Sequence, residues 1–278
     1  NSAVSRNIRT GYYGFNSVTM SGIGQYLLQD VFISSGNLTL NAGTFHTNTT
    51  NNAVMVLNDL TMNGGDLTLN GSTMTVGGDW IRTSGNFAAG TSTVTFNGNT
   101  DQTLSLGSTA FYHLRVTKAA NNLNLASAVN VLGSLSLTAG TLDTSASNWS
   151  VTVTSDVYIN GGTLTLNSST MSLGGSWLRT AGALEAGSST VTFNSAVSRN
   201  IRTGYYGFNS VTMGGIGQYL LQDVFISSGN LTLSAGTFHT NTTNNSVTVL
   251  NNLTMNGGDL TLNGSTMTVG GNWTRTSG

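Results

Sequence analysis

One long phrase that returns at a fixed interval constrains this chain more than any other feature. The stretch from Gly64 to Phe96, GGDLTLNGSTMTVGGDWIRTSGNFAAGTSTVTF, recurs from Gly161 to Phe193 as GGTLTLNSSTMSLGGSWLRTAGALEAGSSTVTF. Its first part recurs once more, from Gly257 to Gly278. Recurrence at a fixed period is typical of repeat architectures, in which each unit packs on its neighbours. The sequence therefore predicts an array before any single residue is considered.

The long period of the array is 97 residues. Residues 1–85 and 194–278 match with seven differences, and residues 97–193 are a more diverged copy between them. We call 1–96 the first block, 97–193 the second block and 194–278 the third, incomplete block. Because both ends fall inside a block, we expect a longer array, with any export signal or anchor outside this segment.

A shorter period of about 20 residues lies inside each block. Apolar triplets begin at Val54, Met74, Val94 and Leu114, and in the second block at Val151, Met171, Val191 and Val211. Counting five turns to a block gives about 19.4 residues per turn, the length of one turn of a β-solenoid. Residues 1–278 are therefore expected to form one continuous solenoid of about 14 turns.

Within a turn, apolar residues alternate with Thr, Ser and Asn in three short runs separated by polar or glycine corners. Period-two alternation places the outer residues of each triplet on one face of a strand and the middle residue on the other. Glycine pairs such as Gly64-Gly65, Gly77-Gly78, Gly161-Gly162 and Gly174-Gly175 are expected to supply positive φ at corners. The predicted fold class is all-β, a right-handed parallel β-solenoid with three strands per turn.

The composition excludes several classes of function. Nine basic and ten acidic residues give no electrostatic signature for nucleic acid, and no apolar run approaches the ~18 residues of a membrane span. Cysteine is absent, which excludes disulfides and thiolate metal sites. Only 7% of residues are charged, but 38% are hydrophobic, so the chain is expected to fold instead of remaining disordered.

The phrases GGDWIRTSGNFAAGTSTVTFNG (77–98) and AFYHLRVT (110–117) resemble degenerate repeats of very large bacterial cell-surface and secreted proteins. The resemblance covers essentially the whole chain. It implies a right-handed parallel β-helix of the adhesin and filament type, exported from the cell. It does not distinguish stalks, adhesins, sheaths and surface layers from one another.

Two recurring side chains are candidates for surface contacts. Trp80, Trp177 and Trp273 follow Gly-Gly, and an exposed row of them could stack on sugars; the favoured interpretation is that they fill the core at a corner. Arg82, Arg179 and Arg275 lie two residues later. They could grip an acidic polysaccharide or a neighbouring filament, although solvated face residues are the favoured interpretation.

The ionisable residues do not suggest catalysis or a metal site. The acids are spread about one per turn, and Asp59 and Asp79 of the first block are Asn252 and Asn272 in the third. A catalytic acid would not become an amide between near-identical active copies. The three histidines are far apart in sequence and are expected in loops. We expect no catalytic residue, no metal and no cofactor.

Two further features bear on binding. Tyr12-Tyr13 and Tyr205-Tyr206 recur, and the second block has Ser108-Thr109 instead; an exposed groove there would favour glycan binding, whereas a plugged corner would favour a structural role. The middle residues Thr152, Ser172, Thr192 and Thr212 recur every 20 residues, as in solenoid ice-binding proteins. Such proteins usually carry two ranks of threonine, and here most flanking positions are expected to point inward.

The favoured interpretation is structural. The chain is expected to be a repeat segment of an extracellular bacterial surface fibre, filament or stalk that associates with itself, end to end or laterally. The alternatives are an adhesin arm that binds glycans and, third, an ice-binding solenoid. Enzymatic activity is not expected. The partners expected are copies of the chain and, in the adhesin alternative, polysaccharide, with no nucleic acid and no membrane within this segment.

Overall fold

The computed structural model describes residues 4–145 and 147–278, and every regular element in these ranges is a β-strand. Parallel pairing between strands about 20 residues apart builds a β-solenoid of about 14 turns, which confirms the expected architecture. The chain divides into two compact units: unit 1 is Asn1–Gly133 with Ala139–Leu142, and unit 2 is Ser134–Thr138 with Asp143–Gly278. That 1–278 form a single continuous solenoid stays a prediction.

Unit 1 has three strands per turn, and each strand position stacks into a face. Face 1 contains Val18–Met20, Leu38–Leu40, Leu60–Asn63, Trp80–Ser84, Gln102–Ser105 and the end of His113–Leu125. Face 2 contains Phe32–Ser34, Val54–Val56, Thr73–Val76, Thr93–Phe96 and the start of His113–Leu125. Face 3 contains Arg6–Ile8, Gln25–Leu28, Thr44–His46, Asp66–Thr68 and Phe87–Ala88, and a separate pair is formed by Ala110–Phe111 and Val129–Val131.

Unit 2 repeats this arrangement. Face 4 contains Val151–Val153, Thr170–Leu173, Thr190–Phe193, Ser210–Met213, Leu231–Leu233, Leu253–Asn256 and Trp273–Ser277. Face 5 contains the starts of Val157–Thr165 and Trp177–Glu185, then Arg199–Arg202, Gln218–Leu221, Thr237–His239 and Asp259–Thr261. The third strand of the later turns is Phe225–Ser227, Val247–Val249 or Met267–Val269. Strand Leu135–Asp143 contributes residues to both units.

The residues that alternate between apolar and polar in the sequence also alternate between buried and more exposed in the structure. In Val54–Val56 the two valines are fully buried and Met55 is exposed, and register places Val54 directly against Met74 of the next turn. Stacked turns lie about 4.7–4.9 Å apart, so each inward side chain packs on its counterparts above and below. One turn alone buries too little apolar surface to offset the entropy of ordering its backbone, and the stack supplies the missing contacts.

The corners differ from the sequence-based expectation. Of the four glycine pairs, only Gly64 has a positive φ (146°). Gly77, Gly161 and Gly174 are needed for a different reason: a Cβ on any of them would overlap a carbonyl oxygen of the preceding turn. Left-handed corners are often taken by asparagine, as at Asn70 and Asn167 (both φ 51°), because asparagine tolerates this conformation better than most residues. Close stacking, not φ, selects these glycines.

A block is not a whole number of turns. In unit 1, Val18 stacks in four steps through Leu38, Leu60 and Trp80 to Leu104 on face 1. Its counterpart in the second block, Leu114, lies two strands beyond Leu104 and pairs with Val94 on face 2. Four and two-thirds turns therefore fill one block, where the sequence predicted five. The difference comes from turns of 22 and 24 residues, such as Leu38 to Leu60 and Trp80 to Leu104.

Unit 2 shows the same offset. Trp177 belongs to face 5, where it pairs with Ile201, whereas its third-block counterpart Trp273 pairs with Leu253 on face 4. Equivalent residues of consecutive blocks are thus displaced by one face within each unit. A surface feature carried by every block would wind around a solenoid of this kind instead of forming a straight row.

Candidate functional site

Those tryptophans of the repeated phrase that are covered by later turns lie in the core. Trp80 and Trp177 are buried, and each ring meets a phenylalanine edge-on, Phe87 at 4.9 Å and Phe208 at 4.9 Å. Trp273 is 52% exposed. The core interpretation is confirmed for the first two, so these tryptophans form no exposed sugar-stacking row.

Two of the three arginines that follow the tryptophans, Arg82 and Arg179, link one turn to the next. Arg82 donates from Nε to the carbonyl oxygen of Gly85 at 2.9 Å and from Nη1 to that of Leu106 at 3.2 Å. Arg179 is 6% exposed, and its Nη1 donates to the Gly204 oxygen at 2.7 Å. Arg275 is exposed and donates to the Gly278 oxygen. The solvated-residue interpretation is wrong for Arg179, because the arginine occupies an inward position and only its tip reaches a corner.

The tyrosine pairs lie on exposed loops. Tyr12 and Tyr13 are 72% and 82% exposed, and Tyr205 and Tyr206 are 71% and 43% exposed. Tyr12 and Tyr205 adopt φ of 67° and 68°, a left-handed conformation that is rare for a bulky side chain. Tyr206 covers the guanidinium of Arg179, 3.8 Å from the ring centroid. The tyrosines do not plug a corner.

A carboxylate from the next turn holds each tyrosine loop. Asp223 accepts hydrogen bonds from Thr203 N at 2.8 Å, Thr203 Oγ1 at 2.9 Å and Gly204 N at 2.6 Å. Asp30 makes the same three contacts with Thr10 and Gly11. The backbone N–H of Thr10 is the main reason that the pKa of Asp30 lies below its ordinary value of 3.8, while burial acts in the opposite direction.

The corresponding loop of the second block lacks both the tyrosine and the aspartate. Ser127 takes the place of the aspartate, and its hydroxyl accepts hydrogen bonds from Leu106 N at 2.9 Å and Gly107 N at 3.2 Å. Ser108 takes the place of the first tyrosine and does not have a positive φ. The left-handed glycine is common to both loops (Gly107 φ 68°, Gly204 φ 61°), whereas the tyrosine, its left-handed backbone and the carboxylate belong to the first and third blocks.

A surface cleft of about 500 Å³ opens beside Tyr205. It spans three successive turns of unit 2, and its polar lining includes Thr180, Asn200, Arg202 and Gln222. Gln222 donates to the Asn200 side-chain oxygen at 3.0 Å, which fixes these two amides relative to each other. Arg202 is exposed, and its side chain makes no hydrogen bond or ion pair with the described residues.

The scattered acids act as acceptors between turns. Asp59 accepts from Asp79 N at 2.9 Å, Asp79 accepts from Thr103 N at 2.6 Å, and in the third block Asn252 accepts from Asn272 N at 2.9 Å. A side-chain oxygen is all that this contact requires, which explains why aspartate and asparagine exchange between the blocks.

The histidines are likewise separate from one another. His46 and His239 end strands, contrary to the expected loops, and each Nδ1 accepts a backbone N–H two residues on, at 2.8 Å. Across residues 4–145 and 147–278, no three His, Asp or Glu side chains are grouped as a metal site would require.

The sequence analysis did not identify two buried polar residues, Lys118 and Tyr219. Each bonds to the long corner at a block boundary: Lys118 to the corner between the first and second blocks, and Tyr219 to the corner between the second and third. Lys118 donates to the oxygens of Gly98 (3.0 Å) and Thr100 (2.8 Å), and Tyr219 Oη donates to the Phe193 oxygen at 2.9 Å. Period-two alternation places Lys118 on the inward side with Leu114 and Val116, but lysine is usually exposed, so its burial was not expected.

The outward side of face 4, which we call the hydroxyl face, is a ladder of hydroxyl groups. The central residues of its seven strands are Thr152, Ser172, Thr192, Thr212, Thr232, Thr254 and Thr274, paired turn by turn. A second rank, Thr170, Thr190 and Ser210, lies beside it and is also unburied. The positions next to each central residue point inward, as expected. The second rank lies two residues before the central position, on the same side of the strand.

The chain matches no protein-family model, and neither a curated protein sequence nor a solved structure matches it. The described residues contain no helix that is long and apolar enough to span a membrane.

Proposed function

We propose that this chain is a structural segment of an exported bacterial surface fibre, filament or stalk, and that it acts by stacking its turns and by associating with copies of itself. The observation that carries the proposal is the hydroxyl face, an ordered and uncharged surface that continues over seven turns of unit 2. Most polar side chains described above bond to an adjacent turn. This arrangement suits a protein that bears mechanical load better than one that catalyses a reaction.

Resistance to extension and proteolysis follows from the stacking. Each turn is bonded to the next by parallel backbone ladders and by side-chain contacts such as Asp79 with Thr103. A protease needs a locally unfolded segment, and opening one turn here removes contacts with two neighbours. This supports a mechanical role outside the cell, where proteases and shear act on the protein.

Lateral association is the second part of the proposal. Uncharged threonine and serine rows can approach an identical surface without charge repulsion, and their hydroxyl groups both donate and accept hydrogen bonds. Regular contacts that do not close on themselves produce open filaments. We therefore expect copies of the chain to pack side by side through the hydroxyl face.

The test is electron microscopy and sedimentation of the purified chain. Lysines at Thr192 and Thr212 place charges on adjacent turns of the hydroxyl face, and the matched control places lysines at Thr39 and Thr61 on face 1 of unit 1. We expect bundles from the natural chain and the control, and single particles from Thr192→Lys/Thr212→Lys. Dispersed monomers of the natural chain at every concentration would contradict self-association.

The second rank of hydroxyl groups favours one other function, ice binding. Thr170, Thr190 and Ser210 stand beside Ser172, Thr192 and Thr212, so three turns present paired ranks. A regular hydroxyl array of this kind could order water. Thermal hysteresis in the natural chain that disappears in Thr192→Lys/Thr212→Lys would support this function, and absence of hysteresis in the natural chain would exclude it.

A further inference from the structure

We infer that the cleft beside Tyr205 is a binding subsite for an acidic saccharide, with the tyrosine ring against the sugar and Arg202 paired with the acid group. This goes beyond the structural function, because a fibre needs no ligand. It identifies one place on unit 2 where chemistry suited to recognition is concentrated.

The shape of the cleft suits one sugar residue or two. About 500 Å³ is within the usual range of small-molecule sites. It extends across the turns of Thr180, Asn200 and Gln222, so a ligand would lie across the turns and contact each of them.

The charge available to a ligand is positive. Three charged residues line the cleft: Arg179, Arg202 and Asp223. Asp223 is 8% exposed and accepts three hydrogen bonds from the tyrosine loop, and Arg179 is 6% exposed and bonded to the Gly204 oxygen. Only the guanidinium of Arg202 remains exposed and unpaired among the described residues. Arginine binds carboxylates and sulfates with two parallel hydrogen bonds, which points to an acidic ligand.

The neutral groups point to a sugar. Asn200 and Gln222 carry amides and Thr180 carries a hydroxyl, and these groups donate to and accept from sugar hydroxyl groups. The exposed ring of Tyr205 offers an aromatic surface with a negative face, which attracts the C–H groups on one side of a pyranose. Aromatic surface, amides and one cation together match an acidic saccharide better than a free inorganic anion.

The tyrosine is held in place before any ligand arrives. A bulky residue at φ 68° is strained, and such strain persists only where the surroundings enforce it. The bonds from Thr203 and Gly204 to Asp223 enforce it here. A loop whose backbone is already fixed loses little backbone entropy on binding, which raises affinity.

The second block supplies an internal comparison. Its loop has Ser108 where the third block has Tyr205, and Ser105 where the third block has Arg202. The solenoid is therefore built equally well without the tyrosine and the arginine. Their presence in the third block is unexplained by folding and is explained by a ligand.

The test is calorimetric titration of the full 278-residue chain with a uronic acid tetrasaccharide and with the same tetrasaccharide reduced at its carboxyl groups. The variants are Arg202→Gln and Tyr205→Asn, the latter chosen because asparagine tolerates positive φ. Arg9→Gln with Tyr12→Asn probes the equivalent loop of unit 1. The matched controls are Ser105→Ala and Ser108→Ala, and circular dichroism on every variant shows that the fold is retained.

We expect the acidic tetrasaccharide to bind, and each unit 2 variant to weaken it by about tenfold or more, the size of one charge-assisted hydrogen bond or aromatic contact. The reduced tetrasaccharide should bind as weakly as Arg202→Gln does, and the serine controls should bind as the natural chain does. Undetectable binding, equal binding of the reduced sugar, or full binding by folded Arg202→Gln and Tyr205→Asn would each overturn the inference. Tighter binding of tetraglutamate would overturn the saccharide assignment. None of these outcomes depends on whether filaments form.

Discussion

The ammonium nitrogen of Lys118 lies 2.6 Å from the side-chain oxygen of Gln102, inside the first block boundary of unit 1. Lys118 is fully buried, and its other two hydrogen bonds go to backbone oxygens of the same corner. Gln102 in turn accepts from Gly98 N at 3.1 Å. The pair closes the longest turn of the unit, so this corner depends on one lysine.

Lys118→Met should destabilise unit 1. Methionine keeps the length of the side chain but leaves the carbonyl oxygens of Gly98 and Thr100 without the lysine donor and Gln102 with only its bond from Gly98 N. Loss of a donor to a buried oxygen typically costs about 1–3 kcal/mol. Denaturant unfolding of the variant and the natural chain measures the difference. Equal midpoints would show that water or rearrangement replaces the ammonium.

The same variant should change the pH dependence of stability. Burial lowers the pKa of Lys118 below its ordinary 10.5, while Asp101 and Asp79 act in the opposite direction. Between the lowered value and 10.5 the unfolded chain binds more protons than the folded chain, so the free energy of unfolding rises with pH in that window. Lys118→Met should lack this rise when the two unfolding curves are subtracted. A difference that does not vary with alkaline pH would contradict the prediction.

Asp30 should titrate below its ordinary pKa. The backbone N–H of Thr10 is the leading cause of the lowering, so the carboxylate form is favoured in the fold. Its contribution to stability is then present above 3.8, the unfolded value, and is lost as pH falls through the lower folded value. Carbon-detected NMR of the Asp30 carboxyl group measures the pKa directly, with Asp30→Asn as the assignment control. A midpoint at or above 3.8 would show that the loop bonds are not maintained in solution.

The two tryptophans of unit 2 should respond differently to truncation. Trp177 is 1% exposed and contacts Phe208, whereas Trp273 is 52% exposed. Trp177→Ala should destabilise unit 2 by about 3–5 kcal/mol, the usual cost of emptying a large core site. Trp273→Ala should cost much less, because less contact is lost. Thermal unfolding of both variants tests the contrast, and equal losses would contradict the burial assigned to Trp177.

Close stacking at corners can be tested with one methyl group. Gly174 does not have a positive φ, and a Cβ there would overlap the carbonyl oxygen of Thr154 in the preceding turn. Gly174→Ala should lower the thermal midpoint substantially, because the spacing between the two turns must change. Gly264→Ala is the matched control in unit 2, since its nearest atoms, at 3.2 Å and beyond, belong to the Asn244 side chain. Similar midpoints for the two variants would refute the stacking explanation.

Much of the fold could be predicted from the sequence because burial follows a period of two and turns follow a period of about 20. The expected stacking of Val54 on Met74 is confirmed, and Leu60 pairs with Trp80 at the same interval. The predicted number of turns per block was wrong because some turns have a few extra residues at their corners, and these do not disturb the apolar pattern of the strands. That is why a block of four and two-thirds turns resembled one of five.

The candidate site was only partly predictable. The recurrence of the tyrosines and their loss in the second block marked the loop, but their exposure depends on a left-handed backbone enforced by Asp223. The interior positions of Arg179 and Lys118 were hidden because both types are usually exposed. Both residues bond to carbonyl oxygens of corners that are 20 and 25 residues away in sequence, so no local pattern marks these contacts.

The most direct test of the central claim is electron microscopy of the native material, with the chain located by a specific antibody. The account predicts continuous filaments of solenoid width that carry the label, with a repeat near 4.8 Å along the axis from the stacked turns. Short isolated monomers that carry the label and bind glycans saturably, with no filaments, would contradict the structural function.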